Sequence, residues 1–287
     1  MKKYIHYLEF CLIEAIHVLF FIIPYIFDKG KRFPYKKNKT GTLCVLANGP
    51  SLKEVLKKID DKEFYNVEFS VMNSFADVPE FEIIKPKYYC MVDPLFIHET
   101  VKIDLAMKAF KALNEKVNWE MTLFIPSFFG LNRFLAFSHI NNPFINIRVL
   151  PSIRYGGEST FIPTILFKYG MTIPRMTVAQ TCIYIGINSG FEEIHLYGME
   201  HTFINTLAVD KQSRLCWKDE HFYDDNMEQK LFYKNDGSLY KISEYLLEKS
   251  ILFKTHDILA LYAKQIGCKI LNYTPITMID SYKRYIL

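Results

Sequence analysis

From Thr42 onward, short apolar runs alternate with stretches of helical period. TLCVLAN (42–48) reads as a strand and SLKEVLKKI (51–59) as a helix. VEFSVMN (67–73), KYYCMVD (87–93), TLFIPS (122–127) and INIRVL (145–150) read as further strands. MTVAQTCIYIGINSG (176–190) is a long helix, EEIHLYG (192–198) the next strand, HDILALYAKQIG (256–267) a helix and CKILNYT (268–274) the last strand. Such alternation predicts an α/β fold: a Rossmann-like parallel sheet with helices on both faces. Ligands then sit outside the carboxyl ends of the strands. Asn48, Asn73, Asp93 and the Gly198–His201 turn all fall at such ends.

The turn Asn48-Gly49-Pro50-Ser51 has the chemistry of a nucleotide seat. Gly49 permits close approach of a ligand to the backbone. Pro50 can open a helix at no cost in hydrogen bonds. Ser51 stands as the N-cap, with Glu54 at capping-box spacing. A helix start presents N–H groups to phosphate, and the Asn48 amide both donates and accepts. The turn is neither a Walker loop nor a Gly-x-Gly-x-x-Gly fingerprint. A plain strand-to-helix turn remains the competing reading.

Two stretches break the alternation. Residues 127–165 are aromatic and turn-rich, and residues 201–245 are polar with little period. A long insertion after a strand end reads as a lid, and this one carries histidines. His221 stands in Asp219-Glu220-His221-Phe222-Tyr223-Asp224, where carboxylates can orient the ring and Tyr223 can bond a phosphate. His201 follows the strand end Gly198-Met199-Glu200. Either histidine suits a general base, because imidazole titrates near working pH. His256 reads as a helix-start residue. Lys211, Arg214 and Lys218 offer a clamp on an anion, or a solvated loop.

Composition narrows the partners. Half of the 287 residues are hydrophobic and 16% are aromatic, enough for a large core. A net charge of +4 gives no reason to expect nucleic acid. Six scattered cysteines without a Cys-x-x-Cys pair read as reduced, buried thiols, and no metal site is expected.

The N-terminal MKKYIHYLEFCLIEAIHVLFFIIPYIF has a basic start but no small-residue cleavage site. It is long enough to span a bilayer. Glu9, Glu14 and His17 oppose this, at about 2–3 kcal/mol each at mid-bilayer. They share one side of a helical wheel, so residues 1–39 are expected to form an amphipathic, membrane-associating helix and a basic linker. Lys29, Lys31, Arg32, Lys36, Lys37 and Lys39 would meet anionic headgroups. Packing on the protein's own core is the alternative. Residues 40–287 then form the Rossmann-like domain, with its lid at about 201–245.

In its motifs the chain resembles the bacterial sialyltransferases of glycosyltransferase family 42 and the related Maf-like and lipopolysaccharide or capsule glycosyltransferases. The resemblance rests on Asn48-Gly49-Pro50-Ser51-Leu52-Lys53-Glu54, a strand ending at Asn73, Asp93-Pro94, Arg175-Met176-Thr177, and GFEEIHLYGME (190–200), over about residues 42–280. It implies inverting transfer of a sialic or other ulosonic acid from a CMP-sugar donor to a cell-surface glycan or glycolipid, with no required cofactor or metal. It implies nucleotide contacts at Asn48, Gly49, Pro50 and Ser51, donor contacts at Asn73, Asp93 and Glu200, and a place for Thr177 near the cytidine or the sugar carboxylate. The chain departs from the family in Val178-Ala179 for Ser-Gly and in Asp93 for Asn. Gln180 and Thr181 are the nearest substitutes.

The expected protein is therefore a transferase peripheral to the cytoplasmic face of the inner membrane, with room for a homo-oligomer. Two rivals stand beside it. A pterin pyrophosphokinase-like enzyme would place Mg²⁺ on Asp93 and Glu200. A nucleotide-binding membrane adaptor would bind without turnover.

Overall fold

The structure, a computed structural model, describes residues 2–37, 40–97, 103–218, 229–234 and 237–285. Helix α1 (Lys2–Phe27) precedes a domain that opens with β1 (Thr42–Leu46) and the short α2 (Leu52–Leu56). Next come β2 (Val67–Met72), α3 (Phe81–Ile84), β3 (Tyr88–Cys90), α4 (Ile103–Lys116), β4 (Met121–Pro126), α5 (Leu131–Ser138) and β5 (Ile145–Leu150). Helices α6 (Phe161–Lys168) and α7 (Val178–Ser189) lead to β6 (Glu193–Tyr197). Three short strands follow, β7 (Leu207–Val209), β8 (Leu215–Lys218) and β9 (Gln229–Leu231). Helix α8 (Ile242–Ile266), β10 (Lys269–Asn272) and β11 (Lys283–Arg284) complete the chain.

Eight strands form one parallel sheet in the order β11-β10-β6-β1-β2-β3-β4-β5. The chain winds outward from β1 to β5, then returns to the other side of β1 with β6. The winding direction reverses between β1 and β6, and crevices form at the carboxyl ends of strands at such a point. This is the α/β class that the alternation predicts.

The central strands are buried on both faces, as continuous apolar runs such as TLCVL require. Leu43 and Val45 pack with α7 and α8, whereas Cys44 and Leu46 pack with α4 and α5. Each fully buried Leu or Val stabilises the fold by about 1.5–3 kcal/mol. Helix α7 is buried from Ala179 to Ser189 because the sheet lies on one side and α6 and α8 on the other. Its polar Asn188 is fully satisfied: it donates to Phe33 O (2.5 Å) and Phe167 O (2.8 Å) and accepts from Tyr262 Oη (2.6 Å).

Three local expectations are corrected. The helix expected from His256 begins fourteen residues earlier, at Ile242, inside the stretch assigned to the lid. His256 is therefore mid-helix and fully buried. Elsewhere in the described 201–245 stretch, Phe203–Thr206 form a 3-10 turn and β7, β8 and β9 an antiparallel three-stranded sheet. Within it Arg214 is bound to Asp210 (2.6 Å) in the β7–β8 turn, which takes it out of any clamp. Finally, α2 is a five-residue helix whose Ser51 makes no side-chain cap, and Glu54 pairs with Lys57 (2.7 Å) on the surface.

Helix α1 is not free of the domain. Glu14, only 4% exposed, accepts from the amides of Glu158 (2.6 Å) and Ser159 (3.1 Å) and from the Tyr155 hydroxyl. Phe21 is buried edge-on to Tyr155. Just past the helix, Asp28 accepts from Ser152 N (3.0 Å) and Ser127 Oγ (2.7 Å). The expected amphipathic pattern is thus partly inverted: Glu14 faces the protein, while Leu12, Ile16, Leu19, Phe20, Ile23 and Phe27 face outward. Tyr4–Phe27 is long and apolar enough to cross a membrane. The basic linker also packs on the domain, with Phe33 buried and the amides of Lys31, Tyr35 and Lys36 paired to Val149, Lys168 and Asn188. Five of the six cysteines are buried and all six are unbridged, while Cys11 is exposed on α1.

Candidate functional site

The β1 and β6 turns are laced together at the switch point. Ala47 N donates to Tyr197 O (2.9 Å), Gly49 N to Gly198 O (2.9 Å) and Ser51 N to the Glu200 carboxylate (2.7 Å). Gly49 is obligatory here, because a Cβ would collide with the Glu200 carboxylate and with Gly198 O. Gly198 has a φ of 66° and is walled by Ala47 O. The β6 turn is held from below by the chain after β10: Met199 N donates to Thr274 Oγ1 (3.0 Å), and Met278 N to Glu200 O (2.9 Å).

A cleft of about 1120 Å³ opens over these turns. Asn48, Gly49, Pro50, Asn73, Asp93, Thr177, Glu200 and His201 all line it. Those residues come from four strand ends and one helix start, far apart in sequence. Ser51 lies just beneath, bound to Glu200. His221 and Tyr223 fall outside the described residues.

Each residue has its own restraint. Asn73, at the end of β2, has a left-handed φ of 55° that asparagine tolerates. Its carbonyl accepts from Tyr89 Oη (2.5 Å), whose pKa burial pushes up, so the phenol remains a donor. Asp93 accepts from Leu95 N (3.0 Å) and starts a tight turn after β3. Thr177 caps α7 in a full capping box with Gln180: its hydroxyl accepts from Gln180 N (3.3 Å), and Gln180 Oε1 accepts from Thr177 N (3.1 Å). Gln180 Nε2 also donates to Leu252 O (2.8 Å), and the side chain is fully buried, which withdraws it from a donor sugar. The positive end of α7 therefore faces the cleft at Val178 and Ala179.

His201 has a left-handed φ of 49° and packs its ring 5.1 Å from that of His256. Burial lowers its pKa to about 4, and Lys249 adds to the effect. His256 is lowered further by burial and by His201, and its Nδ1 meets Tyr282 Oη at 2.9 Å. Both rings are thus neutral at working pH.

Buried polar groups nearly always have partners. Among the described residues, Ser51 Oγ, Asn73 Oδ1, Glu200 Oε2 and His201 Nε2 are buried without one. All four belong to the switch-point site. Seven such atoms exist among the described residues, so more than half concentrate at this one place. No three His, Cys, Asp or Glu side chains among the described residues converge as metal ligands. Glu200, proposed by the kinase rival to hold Mg²⁺, spends one oxygen on Ser51 N.

Sequence reasoning overlooked three groups in this cleft. Phe20 and Pro24 of α1 line it, as does Arg154 from the loop after β5. The segment after β6 contributes Phe203, from the turn before β7, and Trp217, from β8. None carries a motif, and only the packing of α1 and of the segment after β6 on the domain brings them there.

No protein-family model and no curated protein matches the chain. Among solved structures, the Maf glycosyltransferase of Magnetospirillum magneticum AMB-1 is similar over 91% of this chain, with a TM-score of 0.47 and 14% identity. The chain spans 36% of the length of that protein.

Proposed function

We propose that the chain is a glycosyltransferase that moves a sialic or other ulosonic acid from a CMP-activated donor to a surface glycan, with inversion and without a metal. The observation that carries this reading is the cluster of four unpartnered buried polar atoms at the switch point, under a cleft large enough for a nucleotide sugar. Asn48 and Asn73 supply amides for ribose and phosphate, and the N-terminus of α7 supplies a positive end for departing charge.

In this reading the acceptor hydroxyl gives its proton to His201 Nε2 as its oxygen attacks the anomeric carbon. The bond from that carbon to the phosphate oxygen breaks, and its electron pair leaves with CMP. Basicity lowered by burial suits a base that gains strength only when the anionic donor is bound. His221 and Tyr223 are the further candidates for base and phosphate contact.

Helix α1 would lie in the cytoplasmic leaflet of the inner membrane. The helix is fastened along the domain at Glu14 and Phe21, and just past its end at Asp28, which favours a helix lying in the interface over one that spans. Phe20 and Pro24 then place a lipid-linked acceptor at the mouth of the cleft.

Thermal stabilisation by a nucleotide panel, with and without Mg²⁺, tests the donor. CMP or CTP should stabilise without metal, by about 2.7 kcal/mol at a hundredfold excess over Kd. Stabilisation by ATP alone, and only with Mg²⁺, would replace this reading with the pyrophosphokinase. Tight CMP binding with no transfer to any lipid-linked glycan would replace it with the adaptor.

A further inference from the structure

Among the described residues lining the cleft, Arg154 carries the one permanent positive charge. Its guanidinium makes no hydrogen bond or ion pair with any described residue. Desolvation lowers its pKa, yet more than a third of its surface is exposed, and it lines the cleft. A second cation, Arg175, adds to the lowering. Arg175 in turn acts on the Glu158 carboxylate, which is bound to Lys254 at 3.0 Å. The two cleft carboxylates are engaged elsewhere, Glu200 with Ser51 N and Asp93 with Leu95 N. A guanidinium is well hydrated in bulk water. An unpaired guanidinium on a cleft wall, within the field of another cation, is a ready seat for an anion.

The location is fixed by α1. Two residues before Arg154, Ser152 donates to Asp28; one residue after it, Tyr155 donates to Glu14. Arg154 therefore stands between the two fastenings of α1, on the cleft wall it shares with Phe20 and Pro24.

We propose that Arg154 is the phosphate-binding residue of the α1 wall, its planar fork taking two oxygens of one phosphate group. A fork matches phosphate with two parallel charge-assisted hydrogen bonds, which a lysine cannot reproduce. The phosphate has two sources: the nucleotide donor, or the phosphate that joins an acceptor to its lipid. The first source rests on the proposed function above; the second does not.

The full chain and its Arg154→Gln and Arg154→Lys variants are titrated with CMP by calorimetry. They are then sedimented with phosphatidylcholine vesicles with and without a polyprenyl phosphate. Arg154→Gln should weaken binding of at least one of these phosphates about tenfold, and Arg154→Lys by an intermediate factor. Loss confined to CMP assigns the donor phosphate, and loss confined to vesicles with polyprenyl phosphate assigns the lipid phosphate. A wild type that binds the lipid phosphate but no nucleotide, with loss in Arg154→Gln, keeps the assignment while removing the nucleotide reading. Unchanged affinity of Arg154→Gln for both probes, or a wild type that binds neither, overturns the assignment. Should the Gln variant fail to fold, Arg154→Lys decides by the same criterion.

Discussion

The Glu200 carboxylate accepts a 2.7 Å hydrogen bond from the Ser51 amide, joining the turns after β6 and β1 across the point where the sheet changes direction. One acidic side chain thus fills the place that a short helix start would otherwise offer to a ligand. Its second oxygen is buried and unpartnered, beside Gly49.

Replacing Glu200 separates its structural and binding roles. Glu200→Ala leaves the Ser51 amide without its acceptor and should destabilise the fold by about 1–3 kcal/mol. Glu200→Gln keeps an acceptor oxygen and should cost less, while removing a negative charge from the cleft should tighten CMP binding. Urea unfolding and calorimetry on both variants check this; weaker CMP binding by Glu200→Gln would instead make the carboxylate a direct ligand of ribose.

Gly49→Ala introduces a methyl group where the Glu200 carboxylate and Gly198 O already stand. The turn must open, at about 1–3 kcal/mol or more. The double variant Gly49→Ala/Glu200→Ala should recover part of that loss, because the nearest clash is gone. Additive losses in a double-mutant cycle would show that backbone, and not Glu200, sets the cost.

The pKa of His201 is about 4 in the folded chain, below the usual 6.5. The unfolded chain therefore binds a proton that the folded chain does not, between pH 6.5 and pH 4. The neutral ring's contribution is full above the unfolded value and is lost as pH falls to the folded one, by at most about 3 kcal/mol. Thermal unfolding from about pH 7 downward should fall less steeply in His201→Asn than in the wild type. Equal slopes would place the acid sensitivity at His256. In the proposed reaction the same variant should lose about 10²–10⁴ in kcat.

Glu14→Ala leaves two amides and the Tyr155 hydroxyl without their acceptor. A loss of about 3 kcal/mol or more is expected, with faster proteolysis between α1 and β1. Vesicle binding should survive, since the outward apolar residues are untouched. Loss of vesicle binding with intact proteolytic resistance would contradict the orientation of α1.

How much of this was legible beforehand differs by element. The central strands showed clearly, because residues buried on both sheet faces make apolar runs such as TLCVL, and the edge strand β5 showed by the alternation in INIRVL. Helix α7 showed by its capping pair Thr177 and Gln180 and its closing glycine. The start of α8 did not show: Ile242, Leu246 and Leu247 are exposed while Tyr245 and Leu252 are buried, so its apolar residues do not mark one clean face. Glu14 misled for a related reason. A carboxylate on an apolar helix reads as a solvent-facing group until three donors from residues 155–159 are brought to it.

The sequence by itself determined the alternating layers, the parallel sheet and the polar residues at its strand ends, since those follow from local periodicity and from short turns between neighbouring elements. Tertiary structure alone decided that Glu200 binds Ser51, that His201 stacks on His256, and that Phe20, Pro24 and Arg154 wall the cleft. These contacts join positions more than fifty and up to about one hundred and fifty residues apart. No local pattern encodes them; they exist because the chain reverses direction between β1 and β6, and because α1 docks where its one buried carboxylate finds donors.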